Sequence, residues 1–159
     1  MKIFLVRHAS AVDRHFWEGE EIDRPLDDIG KTQSQALIER FSHIEISSVL
    51  SSGAARCKQT IWPTSIKCKK EVQEVKALFE GSGMAAEELI ATILKKNDPE
   101  SHIILCSHGD VISEIVRTLV LRGMQVSGKR GFAKASVWEL ICTKEKIIEG
   151  IYHPPPFDE

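Results

Sequence analysis

Apolar residues in this chain fall into two kinds of block. Ile3-Phe4-Leu5-Val6 and Ile103-Ile104-Leu105-Cys106 are short unbroken runs, the pattern of strands covered on both faces. Elsewhere apolar residues recur at helical spacing. The short runs predict strands over residues 3–6, 47–51 and 103–106, and Val72 and Val75 mark a short edge strand. A closing strand pair is predicted over residues 135–142 and 146–152, turned by Thr143-Lys144-Glu145. Helical spacing predicts a helix over residues 29–41, with Ile29, Ala36, Leu37 and Phe41 on one stripe and Asp27 or Asp28 as its cap. A second helix spans residues 54–61 and stops near Pro63. A third carries Ala85, Leu89, Ile90, Ile93 and Leu94 and breaks at Asp98-Pro99. A fourth carries Ile112, Ile115, Val116, Leu119 and Val120 and closes at Gly123. Residues 11–28, 79–83 and 125–131 read as loops, and the proline tail 153–156 as extended and solvated.

Strands and helices therefore alternate, with no repeat, low-complexity block or linker. The expected fold is α/β: a three-layer α/β/α sandwich with a mostly parallel central sheet and an antiparallel C-terminal strand pair. It is expected to form one domain over residues 1–159.

Charge and composition narrow the function classes. The formal net charge is −2, so no general attraction to nucleic acid or to an anionic membrane is expected. A positive site must be made locally by a few converging side chains. No apolar stretch approaches the roughly 20 residues of a bilayer span, and no signal peptide precedes Arg7. The four cysteines, at 57, 68, 106 and 142, form neither a CxxC pair nor a zinc-type cluster with histidine. Cys106 and Cys142 lie in apolar runs and read as core residues. Free thiols suit a reducing compartment, so a cytoplasmic protein without a metal or other cofactor is expected.

Candidate chemistry sits where the strands end. The first strand ends on Arg7-His8. The second leads through Ser51-Ser52-Gly53 into a helix bearing Arg56. The third full strand ends on Ser107-His108. In a parallel sheet those carboxyl ends share one edge, where open α/β folds bind ligands. Two arginines and two histidines there make an anion site suited to phosphate. Helices starting after Gly53 and Gly109 add N-terminal amides. Arg7 and Arg56 disfavour protonation of His8, leaving it neutral and nucleophilic. The same arginines would stabilise a transferring phosphoryl group, and His108 would donate to one of its oxygens.

LVRHAS (residues 5–10) resembles the Arg-His signature of the histidine phosphatase, or phosphoglycerate-mutase-like, superfamily. Arg24-Pro25-Leu26-Asp27-Asp28-Ile29-Gly30 is similar to the RPL…G stretch of its SixA-type phosphohistidine phosphatases. Residues 49–60, VLSSGAARCKQT, resemble the segment "VxSSPxxRAxQT", and Ser107-His108-Gly109 resembles the second histidine motif. The resemblance implies that His8 is phosphorylated during turnover, that Arg7, Arg56 and His108 complete the phosphate pocket, that Arg24 lies near its mouth and that Ser10 lines the same turn. It implies a phosphatase whose partner is a phosphorylated protein bearing phosphohistidine, or a small phosphorylated substrate. Ala9 stands where many members have glycine, and Gly53 where proline is common. Many members also carry a carboxylic acid that protonates the leaving oxygen. Glu80 is the candidate here, weighed against a solvated loop acid.

Other readings are weaker. Arg7-His8 alone would be surface polarity, and it gains weight only from Arg56 and His108. His15, His43, His102 and His153 lack such context. Residues 123–130 approach GxxxxGK[ST] but end on Arg130 and follow a helix, so an NTPase is rejected. Neither a GxSxG elbow nor a cysteine with arginine six positions later is present. A mutase, or a non-catalytic phosphate-binding module, uses the same four residues. Retention of all four argues against the non-catalytic module.

Overall fold

A computed structural model describes residues 1–96 and 98–157; the expected domain also includes residues 97, 158 and 159, which lie outside the described residues. Its strands are β1 (Lys2–Arg7), β2 (Ser48–Ser51), β3 (Val72–Glu74), β4 (His102–Ser107), β5 (Gln125–Val126), β6 (Val137–Cys142) and β7 (Ile147–His153). Its α-helices are α1 (Asp28–Phe41), α2 (Ala55–Cys68), α3 (Gly83–Lys96) and α4 (Gly109–Leu121). The strands form one sheet in the order β3-β2-β4-β1-β6-β7-β5. β3, β2, β4 and β1 run parallel, β6 runs antiparallel to β1, and β7 antiparallel to β6.

The unbroken apolar runs are explained by a core on each face. Along β1, Ile3 and Leu5 enter a cluster with Ile90, Ile112 and Ile115 of α3 and α4. The alternate residues Phe4 and Val6 enter a second cluster with Leu37, Phe41, Cys57 and Ile61 of α1 and α2. Successive side chains point to opposite faces of a sheet, so a strand packed on both sides has no polar alternation. Together the two clusters give the expected helix–sheet–helix layering.

Several elements differ from expectation. α2 does not stop near Pro63 but continues to Cys68. Proline lacks the N–H that would bond the carbonyl of Gln59, and Ser34 Oγ of α1 donates to that carbonyl instead, at 3.3 Å. The stripe expected on α1 is also altered. Ile29 is exposed and Ala36 only half-buried, while Gly30, Gln33 and Ser34 are buried beside Leu37 and Phe41. This face must bond polar groups of α2 and of the loop after β1, so it is not wholly apolar.

Residues 125–126, expected within a loop, form β5 alongside β7. Gly123, with φ +104°, turns the chain after α4, and buried Met124 anchors the next step. The final strand pair starts at Val137, not 135, because Ala135 has φ +64°, a left-handed conformation incompatible with a strand. The proline tail is not free in solvent. His153 closes β7 with Nε2 2.8 Å from Glu139 Oε1, and Arg40 of α1 donates to the carbonyl of Pro154. Asp27 is the residue that caps α1, accepting from Gly30 N at 2.7 Å.

Ser34→Ala should lower stability by about 1 kcal/mol by leaving the Gln59 carbonyl without a donor. Thermal denaturation should show a melting point lower by about 2–4 °C; an unchanged melting point would mean that water satisfies the carbonyl equally well.

Candidate active site

The ends of β1, β2 and β4 are level. Arg7 pairs with Ser107, and both Ser51 and Val6 pair with Cys106. His8 N donates to Ser107 O and Ser52 N to Cys106 O, each at 3.0 Å, so the ladder continues one residue past the strands. Arg7-His8, Ser51-Ser52 and Ser107-His108 therefore lie side by side. Beside them opens a cleft of about 740 Å³. Its lining includes all six residues singled out in the sequence (Arg7, His8, Ser10, Arg24, Arg56 and His108) together with Glu80.

His8 is 7% exposed, and its Nδ1 lies 2.8 Å from the carbonyl oxygen of Ala9. A carbonyl can only accept, so Nδ1 carries the proton and a neutral ring keeps its lone pair on Nε2. Burial is the main cause that pushes the His8 ring down from 6.5 to about 3, and His108, Arg56 and Arg7 add to it. The ring is therefore neutral at pH 7, with its one proton on Nδ1. The two histidine rings meet edge to face, with centroids 5.5 Å apart.

Arg56, on the first turn of α2, is 1% exposed. Its Nη1 donates to Glu21 O at 3.0 Å, and Nη2 lies 3.3 Å from both Glu80 Oε2 and His108 Nδ1. Arg7 donates through Nη1 to the carbonyl of Phe132. Its guanidinium lies against the start of α4, where a Cβ on Gly109 would come within 2.9 Å of Arg7 Cζ. The glycine of the Ser-His-Gly motif thus lets the guanidinium rest against the backbone; any larger residue would displace it by a few tenths of an ångström. Burial lowers the Arg7 pKa from its usual value, and Asp110 opposes the shift. Among the described residues, the Nε–H groups of both Arg7 and Arg56 are buried without a partner. Neither α2 nor α4 has a side-chain cap at its N-terminus. Two guanidinium groups on a cleft wall and uncapped helix N-termini suit a phosphate anion.

Ser10 and Arg24 line the cleft, but their donors are engaged. Ser10 Oγ donates to Asp27 Oδ2 at 2.7 Å. Arg24 donates to both carboxylate oxygens of Glu21, from 2.8 to 3.2 Å, and to Val12 O at 2.7 Å. These hydrogen bonds, first among the causes, hold the Glu21 carboxyl below its ordinary range. Glu80 is part of the wall: Oε2 faces Arg56 at 3.3 Å and Oε1 faces Arg14 at 3.6 Å. Among the described residues, no group of three or more His, Cys, Asp or Glu is placed to hold a metal ion, and no helix is long and apolar enough to cross a membrane.

Sequence reasoning missed the residues that hold the turn after His8. Thr60 Oγ1 accepts from Ala9 N at 2.8 Å and donates to Arg56 O at 2.6 Å. Gln33 Oε1 accepts from Ser10 N at 2.9 Å. A Cβ on Gly30 would stand 1.8 Å from Ser10 O, so that motif glycine permits α1 to touch the turn. Thr60 and Gly30 both lie within the matched sequence segments, which was the available signal.

The His8 shift has a signed consequence. Unfolding returns the ring to water and to 6.5, so between pH 6.5 and about 3 the unfolded chain binds a proton that the folded chain refuses. This contribution is absent above pH 6.5 and destabilises the fold as pH falls through the window. His8→Gln should therefore lose denaturation free energy less steeply than the parent chain across that window; equal slopes would show that the native ring titrates normally.

The histidine phosphatase superfamily (branch 1) model matches residues 3–94. A curated relative, the 8-oxo-(d)GTP phosphatase of Mycolicibacterium smegmatis, is 25% identical over 97% of this chain and 48% of its own length. The chain thus spans about half the length of that relative. Among solved structures it resembles the protein histidine phosphatase SixA complexed with tungstate, with a TM-score of 0.72, 18% identity and 98% and 97% of the two chains covered. It also resembles a mycobacterial glucosyl-3-phosphoglycerate phosphatase in complex with VO3, with a TM-score of 0.74, 16% identity and 92% and 95% covered. Those two likenesses concern the fold. The family match spans β1, α1, β2 and α2, including Arg7, His8 and Arg56, and the chain belongs to the histidine phosphatase superfamily.

Proposed function

We propose that this chain is a metal-independent phosphatase that transfers a phosphoryl group to His8 and then to water, acting in the cytoplasm with protein phosphohistidine as its leading substrate. The His8 ring carries the reading: Nδ1–H is engaged by Ala9, leaving Nε2 with the lone pair in a cleft with two arginines. In the first step Nε2 forms a bond to phosphorus, the bond from phosphorus to the leaving atom breaks, and that atom takes up a proton from solvent in the open cleft. In the second, a water oxygen attacks phosphorus, the bond to Nε2 breaks and its electron pair returns to the ring. The water proton passes to solvent or to the released phosphate. Arg7 and Arg56 hold the phosphoryl oxygens, and His108 donates to one of them. Ser10 and Arg24 stiffen the wall.

The leaving group distinguishes two substrate classes. Both Glu80 oxygens face arginines, so neither is free for a departing alkoxide in this arrangement. Phosphohistidine has a weak P–N bond and an imidazole leaving group, which leans less on such an acid. Four unpaired cysteines suit a reducing compartment. A small phosphate ester is the second reading, supported by the place of Glu80 on the cleft wall and by the likeness to the mycolicibacterial 8-oxo-(d)GTP phosphatase.

Brief exposure to substrate should leave an acid-labile, alkali-stable phosphate on the chain, detected by mass spectrometry at His8. His8→Ala should abolish it and lower turnover by roughly a thousandfold or more; full activity in His8→Ala sinks the mechanism. A panel of a phosphohistidine protein, an aryl phosphate, sugar phosphates and a nucleotide decides the class. Glu80→Gln should leave phosphohistidine turnover nearly unchanged. A loss of roughly a hundredfold on the aryl phosphate, with phosphohistidine poorly used, would favour the ester reading.

A further inference from the structure

His108 has a buried donor on each side. Nδ1 faces Arg56 Nη2 at 3.3 Å, and Nε2 faces Ser52 Oγ at 2.9 Å. Ser52 is fully buried, and its oxygen also accepts from Ala54 N at 3.2 Å. Among the described hydrogen bonds, the nitrogen of His108 is the one acceptor open to the Ser52 hydroxyl proton. A neutral imidazole has one N–H and one lone pair, so it cannot accept from both neighbours.

Two arrangements follow. If Nε2 holds the proton, Nδ1 accepts from Arg56 and the Ser52 hydroxyl proton is stranded in the core. If Nδ1 holds it, Ser52 donates into Nε2, but Nδ1–H meets the Arg56 N–H, donor against donor. An anion oxygen between Arg56 and His108 removes the conflict. Arg56 and Nδ1–H both donate into it, while Ser52 donates into Nε2. A buried donor left unpaired is costly, which selects the arrangement in which every group is satisfied.

We propose that Ser52 is a positioning residue that sets the tautomer of His108, so that a neutral ring presents Nδ1–H to the bound phosphoryl group. The inference rests on the phosphatase reading of the cleft. Ser52 acts through His108 and does not touch the substrate. Cys57 also reaches the His108 ring, with Sγ 3.6 Å from Nε2, but a thiol is a weak donor and cannot replace a hydroxyl.

Nitrogen-15 NMR of the chain labelled at histidine, recorded with and without orthovanadate, reads the tautomer without needing turnover. With vanadate bound, His108 should show a protonated, pyrrole-type Nδ1 and a pyridine-type Nε2. Ser52→Ala should lose that signature and lower kcat about tenfold or more, with a smaller change in KM. Ser52→Thr should restore both where it folds. A vanadate-bound parent chain with a protonated Nε2 overturns the assignment, and so does Ser52→Ala with unchanged signals; the parent spectrum decides even if every variant misfolds. Absence of any vanadate binding overturns the phosphatase reading, and the Ser52 assignment with it.

Discussion

The hydrogen bond from His8 Nδ1 to the carbonyl of Ala9 decides which ring nitrogen is left with a lone pair. It works only if that carbonyl is fixed. Thr60 of α2 holds the Ala9 amide, Gln33 of α1 holds the Ser10 amide, and Asp27 holds the Ser10 hydroxyl. Two helices on one face of the sheet thereby clamp a single turn. This accounts for the polar buried face of α1, which also carries the Ser34 hydroxyl that donates to the carbonyl left open by Pro63. The packing of that layer and the tautomer of one ring are parts of the same constraint.

The cleft carries a second constraint. Arg56 is almost fully buried, and burying an unpaired charge is costly. The chain offsets this with Glu21 and Glu80 at the rim and with the backbone carbonyl of Glu21, while the Phe132 carbonyl accepts from Arg7. The guanidinium groups are thereby held in fixed places on the cleft wall. Donors fixed in advance cost little rearrangement when charge arrives.

Much of this was legible in the sequence because the chemistry sits at the ends of short apolar runs. Arg7-His8 and Ser107-His108 each follow a run buried on both faces, and the parallel register brings them together. The alternation of elements likewise announced the sheet and its layers. What was not legible depends on contacts across long separations. Thr60 meets Ala9 across 51 residues and Gln33 meets Ser10 across 23. Ser34 rescues a carbonyl in another helix, and nothing local to Pro63 reveals it. β5 and the anchored tail were missed for the same reason: each is held by a partner strand or side chain, not by its own propensity. Arg24 illustrates the converse. Its motif position was readable, but the commitment of its donors to Glu21 and Val12 was not.

The bond from Arg7 to the Phe132 carbonyl joins two kinds of structure. Arg7 ends a central strand, whereas Phe132 belongs to the segment between β5 and β6, whose left-handed Ala135 donates its amide back to the carbonyls of Arg7 and His8 at 3.2 Å. The segment and the end of β1 are thus mechanically linked. A shift of this segment also shifts the carbonyl on which the Arg7 guanidinium is braced. Lys134 puts the same segment on the cleft wall, so whatever displaces that wall moves the brace of Arg7 with it.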